Sequence, residues 1–148
     1  MIRQAVARDE PKIRECAELA YARYVPLVGR KPAPMTADFA DQIAAGRVYV
    51  SATDDGDFQG FIVFYPEGEH ILLENVTVLP ASAGRGVGEA LIAFCESQAR
   101  ACGKRAVHIY TNEKMAENLS IYPKLGYHEV DRRSEDGFNR VYFAKPLP

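Results

Sequence analysis

This sequence has no apolar run approaching the roughly 20 residues that span a bilayer, and its opening MIRQAVARDEP lacks the basic-then-apolar layout of a secretory signal. The cytoplasm is therefore the expected compartment. Its three cysteines, Cys16, Cys95 and Cys102, are odd in number and nowhere form C-x-x-C. Neither a disulfide framework nor a metal site is expected, and each cysteine reads as a small apolar residue of a helix. His70, His108 and His128 show no ligating or triad spacing. Basic residues are not concentrated either: 18 Lys and Arg stand against 20 Asp and Glu, so the field that draws proteins onto nucleic acid or anionic lipid is missing. A small-molecule partner is the expectation, with no nucleic acid and no membrane.

The 148 residues are 47% hydrophobic, enough for one domain with one core and no linker or repeat. Ile2 to Val6 reads as a short strand. Asp9 then serves as N-cap of a helix with Pro11 in its first turn, in which Ile13, Cys16, Ala17, Ala20 and Tyr24 recur at helical spacing until Pro26 closes it. VGRKPAPM reads as irregular, and a second helix runs from Thr36 to Gly46.

Strands Val48 to Ala52 and Phe58 to Tyr65 flank the tight turn at Asp55-Gly56, and Ile71 to Leu79 follows the turn PEGE. A helix burying Val87, Leu91, Phe94, Cys95 and Cys102 precedes a strand from Ala106 to Tyr110. A helix from Lys114 to Leu125 and a hairpin pairing Tyr127–Asp131 with Val141–Ala144 around Asp136-Gly137 complete the chain. The order β, α, α, β, β, β, α, β, α, β, β predicts an α/β (α+β) mixed sheet with helices on its faces, not a doubly wound fold.

At the central strand-to-helix junction lies PASAGRGVGEALI, with Gly84, Gly86 and Gly88 at alternate positions. A glycine turn opening a helix presents free amides and the positive end of the helix dipole, which suit a phosphate. Two familiar phosphate loops fail here. No Gly-Lys-Ser or Gly-Lys-Thr occurs, and the third glycine of G-x-G-x-x-G is Glu89 or Leu91 in the two possible registers.

The stretch Ala83-Gly84-Arg85-Gly86-Val87-Gly88, placed after Val78-Leu79-Pro80, resembles the Q/R-x-x-G-x-G/A motif of the GNAT superfamily of N-acetyltransferases, with Ala83 where Gln or Arg is usual. Tyr122-Pro123-Lys124-Leu125-Gly126-Tyr127 is similar to that family's later tyrosine motif, Y-x-x-x-G-[FY], while Met115 stands where an Asn is usual. The two in this order are far more specific than either alone.

The resemblance implies a mixed, mostly antiparallel sheet of about seven strands flanked by about four helices, and it allows a homodimer. It implies acetyl-CoA as co-substrate, held by the backbone of Ala83 to Gly88 with Arg85 nearby, by Val76 and Val78 of the fourth strand, and by Asn118 and Tyr122. By the same resemblance Tyr122 is the general acid and a backbone amide, that of Val78, polarises the acetyl carbonyl. Glu74, a carboxylate interrupting the apolar strand ILLENVTV, is the expected water-mediated base. Tyr21, Tyr24, Arg30 and Met35, in or beside the segment between the first two helices, are the expected contacts to an acceptor amine. The same residues also fit a noncatalytic acyl-CoA-binding module or an acetyltransferase of protein N-termini or lysines. Neither the acceptor nor the length of a short acyl donor is set by the sequence.

Overall fold

Four consecutive apolar residues, Phe61-Ile62-Val63-Phe64, are all buried, which is possible in a strand only when both faces are covered. In the computed structural model, which describes all 148 residues, they lie in β3 (Phe58–Glu67) of a seven-stranded sheet. The other strands are β1 (Ile2–Gln4), β2 (Val48–Ala52), β4 (His70–Val78), β5 (Ala106–Asn112), β6 (His128–Glu135) and β7 (Phe138–Pro146), in the order β1-β2-β3-β4-β5-β7-β6. Only β4 and β5 run parallel. The helices are α1 (Glu10–Tyr21), the single turn α2 (Val25–Val28), α3 (Phe39–Ala44), α4 (Val87–Ala101) and α5 (Ala116–Lys124). Four of them exceed one turn, so the element count matches the expectation. No helix is long and apolar enough to cross a membrane.

Alternation along β3 divides the core in two. Ile62 and Phe64 join Leu91, Cys95, Ile109 and Phe143 beneath α4 and α5, whereas Phe61 and Val63 join Ile13, Cys16, Phe39 and Val50 beneath α1 and α3. Burying each large side chain contributes about 1.5–3 kcal/mol, and these faces hold the sheet between its helix layers. At one edge β6 stays almost wholly exposed and carries HEVDRRSE, while at the other β1 has three residues.

Several local readings are corrected. Pro26 does not close the first helix: α1 ends at Tyr21, and after a 3₁₀ turn over Ala22–Tyr24 Pro26 lies in the first turn of α2, where its missing N–H costs nothing. Asp9 caps backward, its carboxylate accepting from Val6 N–H (2.8 Å) and from the Arg3 guanidinium (2.8 and 2.9 Å). Residues Ala33–Met35 of the segment read as irregular form a 3₁₀ turn, and α3 starts later than Thr36, with Asp38 Oδ1 capping Asp41 N–H at 3.0 Å. Cys102 is exposed because α4 stops one residue before it, whereas Cys16 and Cys95 are buried as expected. The last two strands are longer than their apolar patterns suggest, since β6 and β7 pair through charged positions.

The end of α5 explains the second tyrosine motif. Gly126 takes a left-handed φ of +95°, Gly126 N–H donates to Pro123 C=O (3.1 Å), and Tyr127 N–H donates back to Tyr122 C=O (3.1 Å). This is a Schellman C-cap, in which the chain reverses and lays the following aromatic against the last turn. Tyr127 is buried, its ring 6.3 Å from that of Tyr122, and its hydroxyl donates to the buried Glu96 (2.8 Å), which also receives Lys145 (3.0 Å). Pro123 sits in the final turn and does not end the helix.

Gly126→Ala forces an L side chain into the left-handed region and sets its Cβ 3.2 Å from Lys145 Cε. It is expected to cost about 1–2 kcal/mol, lowering the thermal midpoint by several degrees in a calorimetric scan.

Candidate active site

The glycine turn is shaped by its backbone. Gly84 and Gly86 adopt φ of +77° and +78°, a region L residues rarely enter, and a Cβ on either would point into open space. Gly88 is different: a Cβ there would lie 3.5 Å from Val78, so α4 packs closely on β4. From Gly84 through Glu89 the backbone N–H groups find no acceptor in the protein, and those of Val87, Gly88 and Glu89 form the first turn of α4. Consecutive free amides at the positive end of a helix, facing space that only glycine leaves clear, make a cradle for an anion. These residues fit the pyrophosphate that the sequence motif implies. Ala83 lines the cleft with them, while Arg85 is exposed and does not.

Beside this turn two strands part. β4 pairs with β5 from His70–Ala106 to Leu73–Ile109 and then no further, while β5 continues along β7. On its other edge β4 stays paired to β3, and Leu79 N–H donates to Gln59 C=O. Because backbone groups alternate across an antiparallel pair, those of Val78 and Val76 then point away from β3, into the gap. The gap opens into a cleft of about 660 Å³ walled by the glycine turn, the end of α1 and the face of α5.

A bulge in β4 adds a second cavity. Val63 pairs with Asn75 but Phe64 pairs with Leu73, so Glu74 is the unpaired extra residue. The slip places Glu74 and Asn75 in succession on the α1 and α3 side. There they line a narrow pocket of about 40 Å³ with Tyr110, Asn112, Phe138, Arg140 and the Pro32–Pro34 segment. The pocket and the cleft share four residues: Tyr21, Val76, Asn118 and Tyr122.

Tyr122 is buried, yet its hydroxyl makes no hydrogen bond within the protein, and its ring is held against Tyr127 and Phe143. Burial, and then the neighbouring Tyr21 and Tyr24, push its phenol well above the ordinary value, so it stays protonated at neutral pH. Asn118, one turn earlier, donates to Thr111 Oγ1 at 3.1 Å. Tyr21 donates to Asn75 Oδ1 (3.0 Å), and Thr77 Oγ1 lies 3.1 Å from the Tyr21 oxygen and 2.7 Å from Asn75 Oδ1. Burial pushes the Tyr21 phenol up to about 12, so this cluster is a neutral, fixed wall of the junction.

Glu74 is half-buried, its two oxygens accepting from Gln42 Nε2 and, at 3.4 Å, from Tyr65. Among the expected acceptor contacts, Tyr21 lies at the junction and Tyr24 lines the cleft, accepting from Arg23 (2.9 Å). Arg30 and Met35 do not line the pocket. Arg30 stacks on Phe138 (3.8 Å) and donates to Asp136 C=O, and Met35 packs on the core beneath α1. The sequence reading missed the side chain of Asn75, and Tyr110 and Arg140 altogether. A polar residue at 75 directly after Glu74, breaking the alternation of β4, was the available sign for the first. The other two come from strands that only the fold brings together.

The family model for the acetyltransferase (GNAT) family matches residues 13–127. Among solved structures, nourseothricin acetyltransferase is 26% identical with a TM-score of 0.63, covering 68% of this chain; the chain spans 65% of that protein, less than two thirds of its length. PaiA N-acetyltransferase from Thermoplasma acidophilum, in complex with coenzyme A, superposes with a TM-score of 0.81 at 15% identity, covering 99% of this chain and 98% of its own. The ribosomal-protein-S18-alanine N-acetyltransferase of Escherichia coli gives 0.77 at 19% identity, covering 99% and 92%. These last two likenesses are of fold. No curated protein matches by sequence.

The raised phenol of Tyr122 predicts a spectroscopic result. In an ultraviolet pH titration, Tyr122→Phe is expected to leave the tyrosinate absorbance gained between about pH 8 and 10.5 unchanged, because Tyr122 does not ionise in that window. Loss of one tyrosine's worth of absorbance there would mean an ordinary, solvated phenol.

Proposed function

The chain belongs to the acetyltransferase (GNAT) family of acetyl-CoA-dependent acyltransferases, and on that footing we propose that it transfers an acetyl group to the primary amine of a small molecule by direct attack. One observation carries the reading: a cleft walled by an anion cradle and a separate polar pocket meet at four residues, Tyr21, Val76, Asn118 and Tyr122. A donor and an acceptor can therefore enter from different sides and meet without a covalent enzyme intermediate.

When bound, acetyl-CoA supplies an acetyl group already activated as a thioester. The free amides of Gly84 to Glu89 would hold its pyrophosphate, the backbone of Val76 and Val78 would line its pantetheine arm, and the Val78 N–H would polarise the carbonyl. Glu74, fixed by Gln42 and Tyr65, would draw a proton through water from an ammonium in the pocket, freeing the nitrogen lone pair. Tyr122 holds a proton at Oη, at the junction, where a leaving sulfur requires one. The buried Tyr21–Asn75–Thr77 cluster keeps the junction wall rigid and neutral. The narrowness of the pocket, whose walls include the Pro32–Pro34 segment and Phe138, favours a small acceptor over a peptide.

Steady-state release of free thiol from acetyl-CoA over a panel of primary amines tests this. Tyr122→Phe is expected to lower kcat about 100-fold or more while changing the acetyl-CoA KM little; an unchanged kcat would remove the phenol from the mechanism. Gly86→Ala strains the left-handed turn and points a methyl into the cradle, and is expected to raise the acetyl-CoA KM about tenfold or more.

A further inference from the structure

Only two charged side chains stand on the walls of the narrow pocket, Glu74 and Arg140. Glu74 is committed to Gln42 and Tyr65, whereas Arg140 makes no side-chain hydrogen bond within the protein and is held by cation–π contacts with Tyr110 and Phe138. It sits on β7 opposite Asn112 of β5, on the same sheet face as Tyr110, whose ring centre lies 4.8 Å from the guanidinium carbon. Its side chain is only 13% exposed. The nearest carboxylates, Glu135 and Asp136, stay 3.9 and 3.8 Å away, outside hydrogen-bond reach. Asp136 is 83% exposed, and Glu135 is already taken by the Tyr142 hydroxyl. A guanidinium is always charged and carries five N–H donors in a rigid fork. With no acceptor in the protein and none of its nitrogens fully shut off from solvent, this mostly enclosed fork is free to bond whatever visits the pocket.

We propose that Arg140 binds a carboxylate of the acceptor, and that the acceptor is a small amino carboxylate, its ammonium toward Glu74 and the junction and its carboxylate on the Arg140 fork. The proposal rests on the acetyltransferase reading above and narrows its substrate class. One fixed cation and one fixed carboxylate in an otherwise neutral pocket complement a zwitterion and no simpler amine. A diamine would set its second ammonium against Arg140, and a neutral-tailed amine would leave the guanidinium unpaired. The planar fork also matches a carboxylate in bidentate geometry. Arg140 is thus a specificity residue for the acceptor, and takes no part in moving protons.

The test compares three matched series on the wild-type enzyme with acetyl-CoA: free amino acids, their carboxamides, and the amines left when the carboxyl group is removed. Thiol release gives kcat/KM, and saturation-transfer NMR without acetyl-CoA reports binding of the same compounds independently of turnover. At least one amino acid is expected to exceed its carboxamide and its decarboxylated amine by about 100-fold in kcat/KM, the cost of losing a bidentate charge-assisted pair. In Arg140→Gln that ratio should collapse to within about threefold, and the NMR contact to the amino acid should be lost. Arg140→Lys, which keeps the charge but loses the fork, should recover only part of the ratio.

Carboxamides or diamines turning over as well as the amino acids would overturn the proposal while leaving the acetyltransferase reading in place. So would a ratio that survives Arg140→Gln in a protein of unchanged thermal midpoint. Acetylation of no amine in any series, together with no thermal shift by acetyl-CoA, would overturn both.

Discussion

Past the Leu73–Ile109 pair, β4 has a neighbour on only one side, and the outward groups of Val76 and Val78 have no strand to bond to. In a closed sheet that would be a defect, because unpaired backbone polar groups away from water are costly. Here it is a constraint that organises everything near it. The gap must be lined by something that accepts and donates hydrogen bonds, and it must reach the surface. The glycine turn lies at one end of it and the bulge at Glu74 at the other, with Tyr21 reaching across toward Val76 C=O at 3.5 Å. The cleft, the pocket and the junction between them are all consequences of two parallel strands that stop pairing after four residues.

How much of this could be read from the chain depended on how local the cause was. Gly84 and Gly86 are legible because a left-handed backbone demands glycine, and the pattern states that demand in six residues. The Tyr122–Gly126–Tyr127 motif is legible for the same reason: it is a helix cap written in consecutive residues, with the second aromatic serving as the anchor of the first. Glu74 stands out because a carboxylate interrupts an apolar strand. Arg30 and Met35 looked like acceptor contacts because they flank the right segment, but a loop's path is set by what it packs on, and Phe138 holds Arg30 elsewhere. Arg140 and Tyr110 were invisible because their place near Glu74 depends on β5 lying against β4 and on β7 inserting between β5 and β6, pairings between strands far apart in the chain rather than a pattern within one.

The tyrosines divide by environment, not by motif. Burial raises the phenols of Tyr21, Tyr122, Tyr127 and Tyr110 alike. Tyr127 donates its hydrogen bond to Glu96 and Tyr21 donates its own to Asn75, so both are structural by commitment. Tyr122 has equal burial and no partner. A protonated phenol with nothing to donate to is a donor held in reserve, and it faces the junction because the cap at Gly126 holds the end of α5 there.

The two edges of the sheet bear on how copies of this molecule meet. β1 offers a ladder of three residues, too short to template another strand, and β6 offers eight whose side chains are largely charged and hydrated. Each is a familiar defence against strand-to-strand growth. Both edges therefore work against self-association by continuing the sheet into a neighbouring molecule, the usual opening step toward a fibril.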